Sequence, residues 1–112
     1  MMTTEQFLKK VNEQPQEISF SETMEVVENY TFTPTKFQNG DTVNEAGSNS
    51  GSCKLFAFAK LQNLSVEQTL VCFGEYYRND VLKNPEGIDH QNIRNFIKYG
   101  WEKIVFEGVA LS

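Results

Sequence analysis

The chain has 112 residues, 39% of them hydrophobic, with nine Phe, four Tyr and one Trp. That supports one packed core and is too apolar for a disordered chain. Ten Lys and Arg against fifteen Asp and Glu leave a net charge of −5, which argues against nucleic acid, because phosphate binding needs clustered, dominant cations. No apolar run is long enough for a bilayer, so no membrane role is expected. Two Cys nineteen residues apart, without a CxxC pair, make neither a disulfide framework nor a zinc site.

In chain order, Phe7, Leu8 and Val11 recur at helical spacing behind the hydroxyl caps Thr3 and Thr4, and Pro15 stops the helix. Nothing here has the basic start, long apolar stretch and cleavage site of a secretory signal. Ser19 and Glu22 have capping-box spacing, so a second helix runs from about Ser19 or Ser21 to Asn29, with Phe20, Met24 and Val27 on one face. Tyr30-Thr31-Phe32-Thr33 alternates as a half-buried strand does, and Pro34 confines it to an edge or ends it. Asn39-Gly40 after Phe37 signals a turn, with a hairpin into Thr42-Val43 as one form of it. From Gln38 to Ser52 only Val43 and Ala46 offer core material, which reads as a long polar loop, either functional or a plain surface excursion.

Ser52 to Leu61 is apolar on nearly all sides and should form the central helix, capped by Ser52 and ended by Asn63. Ser65 opens another capping box. Its helix carries Val66, Leu70, Phe73 and Tyr77 and continues to about Leu82, before Pro85 and Gly87. Asp89 should cap a helix bearing Ile93, Phe96 and Ile97, closed by Gly100. Lys103 to Phe106 is β-rich and reads as a closing strand. The expected fold is α+β: about five helices and a small two- or three-stranded antiparallel sheet in a single compact domain, 1-112.

Three polar strings could carry chemistry. Gly51-Ser52-Cys53 sits at a helix start, where the positive macrodipole end favours thiolate over thiol. Cys53 is thus a candidate nucleophile; its plainer role is a small buried thiol heading a core helix. His90, the only histidine, must carry any imidazole chemistry; most often such a residue is a surface hydrogen-bonding group. Asp89, Asn92 and Arg94 surround it in sequence. The third string holds Tyr76 and Arg78. Arg78 and Arg94 are the only arginines, and each should pair with a carboxylate between helices or, together with the Gly51 to Cys53 amides, form an anion pocket. No metal-ligand spacing, phosphate loop, Rossmann fingerprint or serine-hydrolase elbow is present, so no metal or cofactor is expected.

The strings Val43-Asn44-Glu45-Ala46-Gly47, Gly51-Ser52-Cys53-Lys54, Thr69 to Arg78 and Asp89 to Phe96 resemble, in order, the HopJ (HopPmaJ) type III effector family. The resemblance runs from Phe7 to Phe106. It implies a protein of the kind that plant-pathogenic bacteria inject into host cells, made in the bacterial cytoplasm, with relatives also in bacteria where such delivery is not evident. It implies no defined reaction. The leading expectation is therefore action by binding a protein partner or a small anionic ligand, through Asn44, Glu45, Gly51, Ser52, Tyr76, Arg78, Asp89, Asn92 and Arg94. The alternative is a small cysteine-dependent enzyme using Cys53 and His90.

Overall fold

Three helices begin where a hydroxyl can accept one of the first free backbone N–H groups. Thr3, Ser19 and Ser65 each accept from the amide three residues on, while Gln6, Glu22 and Gln68 reach back to the cap N–H. These reciprocal pairs satisfy two orphan donors per helix and set α1 (Thr4–Glu13), α2 (Phe20–Val27) and α4 (Val66–Cys72). The computed structural model describes residues 2–112. The remaining α-helices are α3 (Ser50–Leu61) and α5 (Gln91–Tyr99), and a π-type helical segment spans Tyr76–Val81.

α3 is the central element expected from its apolar surface. Leu55, Phe56, Phe58 and Ala59 are each fully buried. Phe56 is the hub, with ring centroids 5.4 Å from Phe73, 5.0 Å from Phe96, 6.0 Å from Phe37 and 6.3 Å from Trp101. Asn63 ends the helix in the left-handed region, φ 55°. The Leu64 N–H then reaches the Ala59 carbonyl and the Asn63 N–H that of Lys60, a Schellman closure.

The sheet is three antiparallel strands in the order β2 (Thr42–Asn44), β1 (Phe37–Asn39), β3 (Ile104–Phe106). The hairpin turns on Gly40-Asp41, with Gly40 at φ +63°. Its register pairs Phe37 with Asn44 and Gln38 with Val43. Directly paired residues share a face. With Phe37 fully buried, Asn44 must point inward and Val43 outward, and they are 2% and 52% exposed. The stretch expected as one polar loop from Gln38 to Ser52 is therefore a hairpin with buried amides, a short connection, and the first turn of α3. Val43 and Ala46 do not enter the core.

Four further expectations are corrected. Tyr30–Thr33 forms no named strand; Phe32 makes a single bridge to Leu111, and Thr31 and Thr33 bond to Ser112 and Ala110 of the C-terminal tail. The Ser65 helix does not run through to Leu82. Gly74 at φ +61° breaks it after Phe73, because α2 crosses there: a Cβ on Gly74 would lie 2.6 Å from the Phe20 nitrogen and 2.8 Å from the Ser19 carbonyl carbon. Ser52 and Asp89 are not caps; Asn49 and His90 occupy those positions. Ile97 is 45% exposed, while Ile93 and Phe96 are buried as expected.

Candidate functional site

α3 and α5 start differently from the other three helices. Their cap residues, Asn49 (φ 51°, ψ 46°) and His90 (φ 50°, ψ 48°), are both left-handed, and neither makes a side-chain cap. Left-handed backbone is uncommon for residues other than Gly, with Asn and His among those that adopt it more often. Among the described residues the N–H groups of Gly51, Ser52, Gln91 and Asn92 have no acceptor. All four residues line one cleft of about 450 Å³. Phe20, Phe73, Tyr76 and Ile93 form its apolar side, and His90, Thr42, Asn44 and Asn49 complete it. No Lys or Arg is among the lining residues.

The floor is a network of asparagines from three elements. Asn44 Nδ2 donates to Asn92 Oδ1 at 3.1 Å and Asn92 Nδ2 returns a bond to Asn44 Oδ1 at 3.0 Å. Asn39 Nδ2 donates to the Asn92 carbonyl at 2.8 Å and to its Oδ1 at 2.9 Å. Asn49 Nδ2 donates to Asn44 Oδ1 at 2.7 Å, and Asn95 ties α5 to the Asn39 carbonyl and the Thr42 hydroxyl. The network pins the hairpin to the starts of both helices. Asn39 is wholly buried, and its Oδ1 has no hydrogen-bond partner among the described residues. Asn39, Asn49 and Asn95 were not legible as site residues. Isolated asparagines in a turn, a loop and a helix face carry no spacing rule.

His90 is held from two directions. Its Nε2 lies 3.0 Å from Asp80 Oδ2 and 3.9 Å from Asp89 Oδ2. Its ring stacks on Tyr76 at 5.2 Å and 27°, and Tyr76 leans on Phe20 at 5.0 Å. Asp80 comes from the π-type segment, whose wider turn follows the break at Gly74. No sequence spacing marked it as the partner of His90.

The remaining predicted site residues lie elsewhere. Cys53 is 2% exposed and is not among the cleft-lining residues; its thiol donates to the Thr35 carbonyl at 3.5 Å. Burial pushes that thiol up, and the Thr35 bond offsets only part of the shift. Ser52, one residue earlier, does line the cleft. Arg78 donates to the Ile18 carbonyl at 2.7 Å and the Pro15 carbonyl at 3.4 Å, fastening the α1–α2 connection. Arg94 holds Asp89 Oδ1 at 2.6 Å and also donates to the Asp89 and Asn84 carbonyls. The hydrogen bond from Arg94 draws the Asp89 carboxyl below its ordinary range. Arg94 thus pairs with a carboxylate as expected and Arg78 with backbone carbonyls instead. Neither reaches the cleft beside the Gly51 amide. Glu45 is exposed, 3.9 Å from Lys36. Among the described residues no group of three His, Cys, Asp or Glu could hold a metal ion, and no helix is long and apolar enough to cross a membrane.

Fold and site together define a small α+β protein with a polar cleft built where two helices start over a bed of asparagines. The family model described as HopJ type III effector protein matches residues 4–111, and the chain belongs to that family. A solved structure described as that of the unknown function protein VPA0580 is 54% identical, with a TM-score of 0.97, over 99% of this chain and 93% of that one. No curated protein matches the sequence.

Proposed function

We propose that this HopJ-family chain acts by binding, and that the cleft between the starts of α3 and α5 takes a carboxylate-bearing ligand. The observation that carries the reading is that the four residues with unpaired backbone N–H donors line one cavity together with His90 and Tyr76. Each helix start is worth roughly half a positive charge, so two together suit about one negative charge. With no Lys or Arg in the lining, a singly charged carboxylate matches better than a doubly charged phosphate. The aromatic side formed by Phe20 and Tyr76 suits an apolar group attached to it. A small carboxylic acid and a peptide C-terminus share this chemistry. Membership of an effector family supports delivery into a host cell as the cellular setting, which a translocation reporter fused to the full chain would test.

The binding test is an amide-resolved NMR titration with acetate, inorganic phosphate and neutral acetamide at constant ionic strength. Acetate should move the Gly51, Ser52, Gln91 and Asn92 signals saturably and acetamide should not. Asn49→Asp, which sets a carboxylate at the start of α3, should weaken the response. Equal small shifts with all three solutes would overturn the reading. The thiol-enzyme alternative draws less support, because Cys53 is buried, is not among the cleft-lining residues, and donates its thiol to the Thr35 carbonyl.

A further inference from the structure

We propose that the same cleft performs acyl transfer on small carboxylic esters, with Ser52 as nucleophile, His90 as base and Asp80 as the residue that positions the imidazole. The inference rests on the cleft being a binding site. Ser52 and His90 both line it, and Ser52 is only partly buried. With Asp80 accepting across the 3.0 Å contact, the imidazole proton sits on Nε2. Nδ1 then carries the lone pair, and it has no partner among the described residues. Stacking on Tyr76 fixes the plane of the ring. The Asp80–His90 contact is the relation of a base to the group that orients it, and Ser52 shares the cleft with that base.

The unpaired N–H groups supply the remaining part. In the first step the Ser52 Oγ–carbon bond forms as the Oγ proton passes to His90 Nδ1. The carbonyl π pair moves onto oxygen, where backbone donors at the helix starts stabilise the oxyanion. Collapse of that adduct breaks the bond to the leaving alkoxide, which takes the proton from Nδ1. Water then gives a proton to the same nitrogen as it attacks the acyl carbon. The acyl–Oγ bond breaks, Ser52 Oγ takes that proton back from Nδ1, and the acid product loses its own proton to solvent and leaves as a carboxylate. The product is the class of ligand the cleft's donors suit, and no co-reactant besides water is needed. No hydrogen bond joins Ser52 to His90 in the free protein. Catalytic contacts of this kind are commonly long until substrate fills the site.

The experiment treats the full chain with an alkyl fluorophosphonate and maps the adduct by mass spectrometry, alongside hydrolysis of p-nitrophenyl acetate. One adduct is expected, on Ser52, absent in Ser52→Ala. His90→Asn keeps a residue tolerant of left-handed backbone but removes the base, and should slow labelling and hydrolysis at least tenfold. Asp80→Asn should slow both with the melting temperature unchanged, and Asp80→Glu should restore part of the rate, which a merely structural role would not produce. A folded protein that takes no label on Ser52, or labels equally fast as His90→Asn, overturns the proposal. If acetate still moves the cleft amides in that case, the binding reading stands and only acyl transfer falls; if neither occurs, both fall.

Discussion

Asn92 joins the cleft floor to the fold, and Asn92→Ala tests that joint quantitatively. The substitution deletes Oδ1, which accepts from Asn39 and Asn44, and Nδ2, which donates to Asn44. Partners differ in what they retain. Asn44 Oδ1 keeps Asn49, and Asn39 Nδ2 keeps the Asn92 carbonyl. Asn44 Nδ2 is left with the Phe37 carbonyl at 3.5 Å, at the limit of a hydrogen bond. A buried donor stripped of its partner costs about 1–3 kcal/mol, and each lost net hydrogen bond about 1 kcal/mol. Allowing for a water entering the gap, the expected loss is about 2–4 kcal/mol. For a domain near this size each kcal/mol is worth roughly 4 °C, so the midpoint should fall by roughly 8–16 °C. Thermal and urea unfolding followed by circular dichroism would measure it, with Asn44→Ala and the double variant completing a cycle. A loss below about 0.5 kcal/mol, the scale of an ordinary surface change, would refute the view that this network holds the site together.

Three other outcomes follow from the same structure. Gly74→Ala should cost about 2–5 kcal/mol in urea unfolding, from left-handed strain plus overpacking against α2 backbone that cannot swing aside; a near-neutral result would mean that α2 and the α4 end move apart freely. At Glu22 burial pushes the carboxyl up, but hydrogen bonds from Lys10 at 2.6 Å and from the Ser19 amide outweigh it, and the net shift is downward from 4.5. A carboxyl depressed in the fold stabilises above its unfolded pKa, and that stability is lost as pH falls through the folded value. Glu22→Gln should therefore be less stable at neutral pH and should lose less on acidification below about 4.5; parallel pH curves would contradict this. Burial pushes the Cys72 thiol up to about 12 and raises Cys53 as well, so iodoacetamide at pH 8 should modify both only at the rate of unfolding. Alkylation of native Cys53 at the rate of a free thiol would show that its burial is wrong.

Local code explains most of what could be read in advance. Capping boxes at Ser19 and Ser65, the run from Cys53 to Leu61, the Asn39-Gly40 turn and the glycine after α5 act within a few residues, and they mark their elements directly. The motif strings also carried the family membership. What escaped was every feature set by a crossing or a register. The helix expected from Ser65 to about Leu82 runs through Gly74, where packing against α2 forces a left-handed break. Val43 looked like the core residue of its loop, yet pairing with Gln38 turns it to solvent and brings Asn44 in. Ser52 and Asp89 looked like caps by residue type, whereas Asn49 and His90 take those positions in left-handed backbone.

The sequence by itself determined most of the helices, the Asn39-Gly40 turn and the family, because capping, periodicity and turn chemistry are short-range. Only the tertiary structure decided the site. It brought two uncapped helix starts to one cleft, set Asp80 against His90, seated the asparagines beneath them, and turned Cys53 into the core while leaving Ser52 at the surface of the cleft. Those relations join residues 10 to 53 positions apart through packing and strand register, and no local pattern encodes them.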